Sequence, residues 1–163
     1  MLANRSNLFR RWLISGLVTM KKGISFTKIW SDDDLVELSV IVFDGNSSFA
    51  NTVYIDQDQP SVLVKDLSVF RDQTHSGIKE IRFGEFGPEY ANGAFHVRLH
   101  FRAPGGLLVF THQQSEFVDF SVSKVASESK MYLTSEPILL DNFISELKGL
   151  ANGVRENANL ECI

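Results

Sequence analysis

Apolar and polar residues alternate one by one in a series of short segments that begins near residue 20 and covers most of the chain. This period of two is typical of strands with one buried side, because successive side chains of a strand point to opposite faces. The candidate strands are residues 24–30, 35–43, 49–56, 78–86, 95–102, 107–113 and 116–124, with a short extension at 131–133. Turn sequences such as Asp44-Gly45-Asn46 separate them, as in hairpins. We therefore predict an α+β fold that is mainly antiparallel β-sheet, with about six to eight strands.

Two segments have helical periodicity instead, and each contains a proline where a helix could begin, Pro60 and Pro137. Apolar residues recur at helical spacing in both: Leu63, Leu67 and Phe70 in the first, and Ile138, Leu139, Phe143, Leu147 and Leu150 in the second. Proline is favoured in the first turn of a helix, and this spacing produces one apolar stripe. Ser135 offers an N-cap for the second segment. We predict a short central helix and a C-terminal helix, both packed on the sheet.

These elements predict one α+β domain over residues 20–154, because a chain of 163 residues is close to the usual size of a single domain. Residues 1–19 are interpreted as an N-terminal extension. Their apolar run at 12–18 is too short to cross a bilayer and is followed by no clear cleavage site. Residues 155–163 are polar and without pattern, so we expect a frayed C-terminal tail there.

The charge balance narrows the classes of function. With a formal net charge of −4 at pH 7, the chain lacks the basic surplus that general nucleic-acid binding requires, and we expect no direct nucleic-acid or membrane partner. An acidic protein is better suited to a basic protein partner. The single cysteine, Cys162, lies near the C-terminus, so no internal disulfide can form, which fits a cytoplasmic location.

The most regular alternation lies in residues 95–102, where the odd positions are apolar and the even positions are His96, Arg98, His100 and Arg102. This segment is predicted to be a strand buried on one side, with Leu99 facing the core. Residues four apart on a strand are separated by about 13 Å. His96 and His100 are therefore not expected to bind the same metal ion.

Three interpretations of this polar row stay open. Acidic neighbours such as Glu80, Glu85, Glu116 or Asp119 could pair with it on a solvated face. The row could instead form a partner-binding surface, in which arginine is favoured. In the third interpretation it forms an anion-binding or catalytic site with a histidine as acid or base.

The other polar residues form no catalytic or metal-binding motif. Asp32-Asp33-Asp34 lacks the ligand alternation and the closing glutamate of a calcium loop. The glycine-containing stretches 84–93 and 103–106 lack the lysine and hydroxyl of a phosphate loop, and no serine lies in a Gly-x-Ser-x-Gly elbow. We therefore expect no cofactor, no metal and no catalytic residue, and we favour a protein that is not an enzyme.

The layout of residues 28–150 is similar to that of a known class of proteins. A Trp-Ser-Asp-Asp-Asp opening at 30–34 is followed by the strand 35–42, a strand ending in Val53-Tyr54-Ile55, a helix ending near Phe70, several strands and a C-terminal helix. This order resembles small bacterial immunity proteins of the WapI-type and related families, which belong to polymorphic toxin and contact-dependent growth inhibition systems. The resemblance implies a non-enzymatic cytoplasmic protein that binds one cognate toxin domain, often a basic nuclease, and blocks its activity.

A protein of this kind would expose its partner-binding residues in loops or on an open sheet face. The candidates are Asp32, Asp33, Asp34, Glu85, Glu89, Tyr90, Arg98 and Arg102. Its acidic groups would attract a basic toxin and raise the association rate. Two alternatives are a protein-binding adaptor or self-associating module, and a small-molecule binder or enzyme that uses the strand face of His96 and His100. Whether the chain is a monomer or a homodimer stays open.

Overall fold

The computed structural model describes residues 19–118 and 126–163. Its elements are β1 (Gly23–Ser31), β2 (Leu35–Phe43), β3 (Ser48–Asp56), α1 (Gln59–Arg71), β4 (Ile78–Phe83), β5 (Ala94–Arg102), β6 (Gly106–Gln114), β7 (Glu128–Ser135), α2 (Pro137–Ala151) and β8 (Asn157–Glu161). In this part of the chain the strands form two four-stranded antiparallel sheets. Sheet A has the order β3-β2-β1-β8, and sheet B has the order β4-β5-β6-β7. The predicted α+β fold with mainly antiparallel sheet and two helices is confirmed.

The alternation in the sequence decides which side of each strand is buried. The even-numbered residues 36–42 of β2 are buried, and so are the odd-numbered residues 95–101 of β5, including Leu99. A tight turn fixes the register between β2 and β3. The Asp44 carboxylate accepts hydrogen bonds from the N–H groups of Asn46 and Ser47 at 2.8 and 2.7 Å. Gly45 adopts a φ of 104°, which a side chain would disfavour.

A cluster of phenylalanines joins the two sheets and the helices. Phe26 of β1 meets Phe95 of β5 edge-on at a centroid distance of 5.5 Å, and it contacts Phe143 of α2 at 5.8 Å. Phe70 of α1 stacks on Phe101 of β5 at 4.7 Å. Aromatic pairs of this kind contribute about 0.5–1.5 kcal/mol each beyond the burial of their surface. Both sheets therefore turn their inner faces towards one core, and both helices pack against that core.

The C-terminal segment corrects one prediction. Instead of a frayed tail at 155–163, residues 157–161 form β8, which pairs with β1 at the edge of sheet A. Ala158 and Leu160 are buried against the core, and burial of two apolar side chains in one short strand offsets the cost of ordering it. The Asn159 N–H donates to the Glu146 carboxylate of α2 at 2.8 Å, so α2 satisfies part of the strand edge.

Other boundaries differ in smaller ways from the predicted ones. Ser135 is the last residue of β7 rather than an N-cap, and its hydroxyl donates to the Glu161 carbonyl at 2.6 Å. Glu136 occupies the N-cap position of α2, and Pro137 begins that helix, whereas Pro60 is the second residue of α1. Most of the predicted strand 116–124 lies outside the described residues, as does most of the extension 1–19. None of the described helices is long and apolar enough to cross a membrane.

A buried amide network ties the inner side of sheet A to sheet B. The side-chain amide of Asn51 in β3 donates to the carbonyls of Ala94 and Gln114 at 3.0 and 2.9 Å. The Gln113 amide donates to the Asn51 side-chain oxygen at 2.8 Å. Asn51 is only 7% exposed, so water cannot readily replace these bonds. Asn51 therefore holds β3 against β5 and β6.

We predict that Asn51→Ala lowers the free energy of unfolding by about 2–4 kcal/mol, because two carbonyls and one amide lose their buried partner. Urea unfolding followed by circular dichroism measures this loss. The matched control is Asn142→Ala on the exposed side of α2, which should change the stability by less than about 0.5 kcal/mol. Equal effects of the two substitutions would contradict a structural role of the network.

Candidate functional site

The hairpin end formed by β1 and β2 carries the first candidate surface. We call it the acidic tip and define it by Ile29, Trp30, Asp32, Asp33, Asp34, Leu35, Glu37 and Asp56. The register between β1 and β2 shifts between Lys28 and Trp30, so Ile29 is the extra residue of a β-bulge. Bulges redirect side chains and are frequent at functional positions. At this bulge the adjacent side chains of Ile29 and Trp30 are both exposed to solvent.

The tip exposes three large apolar residues side by side in the fold. Ile29, Trp30 and Leu35 are 51%, 47% and 38% exposed. Trp30 is paired with Glu37, and Glu37 is paired with Tyr54 of β3. Trp30, Glu37 and Tyr54 therefore form one cross-strand row. An exposed tryptophan next in the chain to another exposed apolar residue is an unusual surface feature and is typical of interaction sites.

The carboxylates of the tip divide into one that shapes the turn and four that face solvent. Asp32 accepts hydrogen bonds from the N–H groups of Asp34 and Leu35 at 2.9 and 2.8 Å. These two bonds lower the pKa of Asp32. The other four carboxylates make no side-chain hydrogen bond or ion pair with any residue that the structure describes: Asp33, Asp34, Glu37 and Asp56. The tip is therefore a rigid turn with unneutralised negative charge.

The predicted loop residues Glu85, Glu89 and Tyr90 lie elsewhere, in the connection 84–93 between β4 and β5, and all three are exposed. The loop is anchored by the Gly87 N–H, which donates to the Gln114 side-chain oxygen at 3.0 Å. The loop connects β4 with β5, whereas Asp32, Asp33 and Asp34 lie in the connection between β1 and β2. The acidic candidates thus belong to two different loops.

The second candidate surface is the outer face of sheet B, where the structure places Arg98 and Arg102. It consists of the side chains that point away from the core: Ile78, Glu80, Arg82, His96, Arg98, His100, Arg102, Leu108, Phe110, His112, Lys130 and Tyr132. Two cross-strand rows dominate it. One runs Arg82, His96, His112, Lys130, and the other runs Glu80, Arg98, Phe110, Tyr132.

Glu80 organises the cations of this face. Its carboxylate accepts hydrogen bonds from Arg98 at 2.6 and 2.9 Å and from Arg82 at 3.2 Å. These bonds, first from Arg98 and then from Arg82, lower the pKa of Glu80. The interpretation of the row as a face with acidic cross-strand neighbours is confirmed for Arg98. Lys130 and Arg102 have no partner among the described side chains.

His96 lies within this face but is only 9% exposed. Its Nε2 atom has no hydrogen-bond partner among the described atoms, and the Glu80 carboxylate is 3.7 Å away. Burial, and next the charge of Arg82, lowers the pKa of His96. The neighbouring His112 is covered by Phe86, which stacks on it at 4.1 Å. His96 is therefore an uncharged core-edge residue near neutral pH.

Two open surface depressions stand out, one along residues 72–78 and one between α2 and β8. Neither is lined by a residue of β5, although Ile78, which lines the first, is the cross-strand partner of His100. The described part of the chain also contains no group of three His, Cys, Asp or Glu side chains arranged for a metal ion.

Comparisons with known proteins add no family: no family model, no curated protein and no solved structure matches this chain.

Sequence reasoning named the three aspartates of the tip but not its apolar side chains. Their exposure depends on the bulge, which interrupts the alternation at Ile29 and leaves no local motif. Tyr132 was also not singled out, although it is 79% exposed and stands between polar neighbours of β7. A tyrosine at a solvent-facing position of a strand is the signal from which it could have been found.

We predict that His96→Gln flattens the dependence of the free energy of unfolding on pH as the pH falls below the usual histidine pKa of 6.5. The folded-state pKa of His96 lies below the usual histidine value of 6.5. Between these two pKa values the unfolded chain binds more protons, so the native chain loses stability as the pH falls. The carboxylates with lowered pKa, whose usual values are 3.8 and 4.5, contribute at lower pH.

Urea unfolding at a series of fixed pH values measures this slope. His75→Gln is the matched control, because His75 is exposed in the loop between α1 and β4, and it should keep the slope of the unmodified chain. A slope for His96→Gln that matches the control would contradict the effect of burial.

Proposed function

We propose that this chain is a non-enzymatic, cytoplasmic immunity protein that binds a basic toxin domain through the acidic tip. The observation that carries the proposal is the exposed Trp30 within a group of four carboxylates that have no described partner. The class of partner rests on the resemblance of the layout to bacterial immunity families. The tip supplies the chemistry that such a role requires.

Charge complementarity is the first supporting argument. Unpaired carboxylates on a protruding turn attract a basic partner at a distance and accelerate encounter. Because Asp33 and Asp34 make no described ion pair, no internal bond has to break before they meet lysine or arginine side chains. Their desolvation cost is then offset directly by the new partner.

An apolar anchor is the second supporting argument. Tryptophan is among the residues that contribute most to protein interfaces when a partner pocket buries it. Trp30, Ile29 and Leu35 expose apolar surface at the tip, and Trp30 and Leu35 are in register with Glu37 and Asp56. Specific interfaces commonly combine an apolar anchor with charged neighbours in this way.

The rigidity of the tip is the third supporting argument. The Asp32 carboxylate closes the turn, and the Gln57 N–H donates to the Asp34 carbonyl at 2.9 Å, which ties the turn to the end of β3. A preformed surface loses little conformational entropy on binding. The tip is therefore suited to fast and tight association with one partner.

The function is tested by co-expressing the chain with the product of the adjacent gene. We expect a stable one-to-one complex on size exclusion with light scattering, and loss of the toxic activity of the partner. Absence of a complex together with a harmless neighbouring product would overturn the immunity role.

We further predict that Asp33→Lys with Asp34→Lys lowers the association rate with the toxin about tenfold at low salt, because two steering charges are reversed. Trp30→Ala should instead raise the dissociation rate about thirtyfold, as loss of an interface anchor does. Surface plasmon resonance separates the two rates. The matched control is Glu85→Lys with Glu89→Lys, the same change of charge in the loop 84–93. A loss of affinity in the loop variant alone would move the interface away from the tip.

A further inference from the structure

The outer face of sheet B is the largest feature that the proposed function does not use. Both helices pack on the other side of the sheet, and no described helix covers this face. Its composition is that of a protein interface, since arginine, tyrosine and phenylalanine are the residue types enriched there. Tyr132 lies in direct register with Phe110 at a ring distance of 5.0 Å, and Arg98 pairs with Phe110 from the opposite side.

The charges of this face define which partner fits. Its cations are Arg82, Arg98, Arg102 and Lys130, against the carboxylates of Glu80 and of Glu128 at its rim. Glu80 is already shared between two arginines, and Glu128 contacts His112 at 3.1 Å. The four cations outnumber the two carboxylates, so this face is net positive and is suited to an acidic partner surface. Packing of two such faces against each other would bring like charges together, which disfavours a symmetric dimer through this face relative to a contact with an acidic surface.

The acidic tip of a second copy provides the matching surface. It offers Asp33, Asp34, Glu37 and Asp56 without described partners, and these fit the cations of the face. It also offers the exposed Trp30, whose ring can lie against an arginine as a cation–π contact or against Tyr132. Both complementary surfaces are thus present on one chain. They belong to different sheets, and no described ion pair joins them within one copy.

We propose that the chain associates head to tail in solution, with the acidic tip of one copy bound to the outer face of sheet B of the next. The contact is heterologous, so association grows with concentration rather than stopping at a closed dimer. Because the tip is also the proposed toxin-binding surface, self-association covers it, and a toxin of higher affinity displaces the neighbouring copy. The regulatory part of this inference rests on the proposed function, whereas the association itself does not.

The association is tested on the purified full chain without any toxin. We expect the average mass from light scattering or sedimentation to rise with concentration at low salt. Added salt should return the chain to monomer, because exposed charges are screened within about 10 Å at 0.1 M ionic strength. A chain that stays monomeric at low salt up to millimolar concentration would overturn the proposal.

Two variants with one damaged surface each provide the decisive experiment. The tip variant is Asp33→Lys with Asp34→Lys, and the face variant is Lys130→Glu with Tyr132→Ala; none of these side chains takes part in a described ion pair. Each variant alone should be monomeric. Their equimolar mixture should give a one-to-one heterodimer that grows no further, because only one competent tip and one competent face remain. Failure of the mixture to associate would overturn the head-to-tail contact.

A matched control separates this contact from general loss of charge. Lys65→Glu with Val69→Ala makes the same kind of change on the exposed side of α1, and it should associate like the unmodified chain. Toxin binding distinguishes the two proposals: the face variant should bind toxin normally, and the tip variant should not. If the face variant loses toxin binding while the unmodified chain is monomeric, the face belongs to the toxin interface and self-association is wrong.

Discussion

The packing of Phe26 against both sheets is the interaction on which the rest of the structure depends. Its ring lies between Phe95 of sheet B and Phe143 of α2, so one side chain links three layers. Because the inner faces and the helices share this core, the apolar side of every strand is used internally. Among the described residues, the outer faces, strand ends and loops of the sheets are therefore left for binding. The two candidate surfaces, a hairpin end and an open sheet face, are of these kinds.

The same constraint separates the charges of the molecule. Polar positions of the strands point outwards, and the two sheets differ in the charges that they carry there. The central outer positions of sheet A are small and neutral, as at Thr27, Ser39 and Thr52, and one group of its carboxylates lies at the acidic tip. The outer positions of sheet B carry the arginines and histidines. A net charge of −4 conceals this division, which only strand order and register reveal.

The parts of the fold that the sequence predicted are those with local signals. Strand β2 alternates over nine residues, β5 alternates over most of its length, and both helices have a proline in their first turn. The strand β8 escaped prediction because its two apolar residues are too few to define a period; it is stabilised by pairing with β1, more than a hundred residues away in the chain. Of the acidic tip, only the three aspartates could be predicted from the sequence. The exposure of Trp30 depends on a bulge, and the choice of Glu80 as partner of Arg98 depends on the register of β4 and β5.

The two surfaces differ in how their charges are held, and this difference ranks them as binding sites. The carboxylates of the tip are unpaired among the described residues, so a cation that meets them replaces only water. On sheet B, by contrast, Arg82 and Arg98 already donate to Glu80, and a new anion competes with that bond. An exposed, paired arginine adds little to affinity, with a median contribution of about 0–1 kcal/mol for surface ion pairs. A partner that contacts the tip therefore gains more per charge than one that contacts Arg82 or Arg98, and only Arg102 and Lys130 of the sheet are as free of described partners as the carboxylates of the tip. Binding of a foreign basic protein at the tip should accordingly prevail over contacts between copies of the chain.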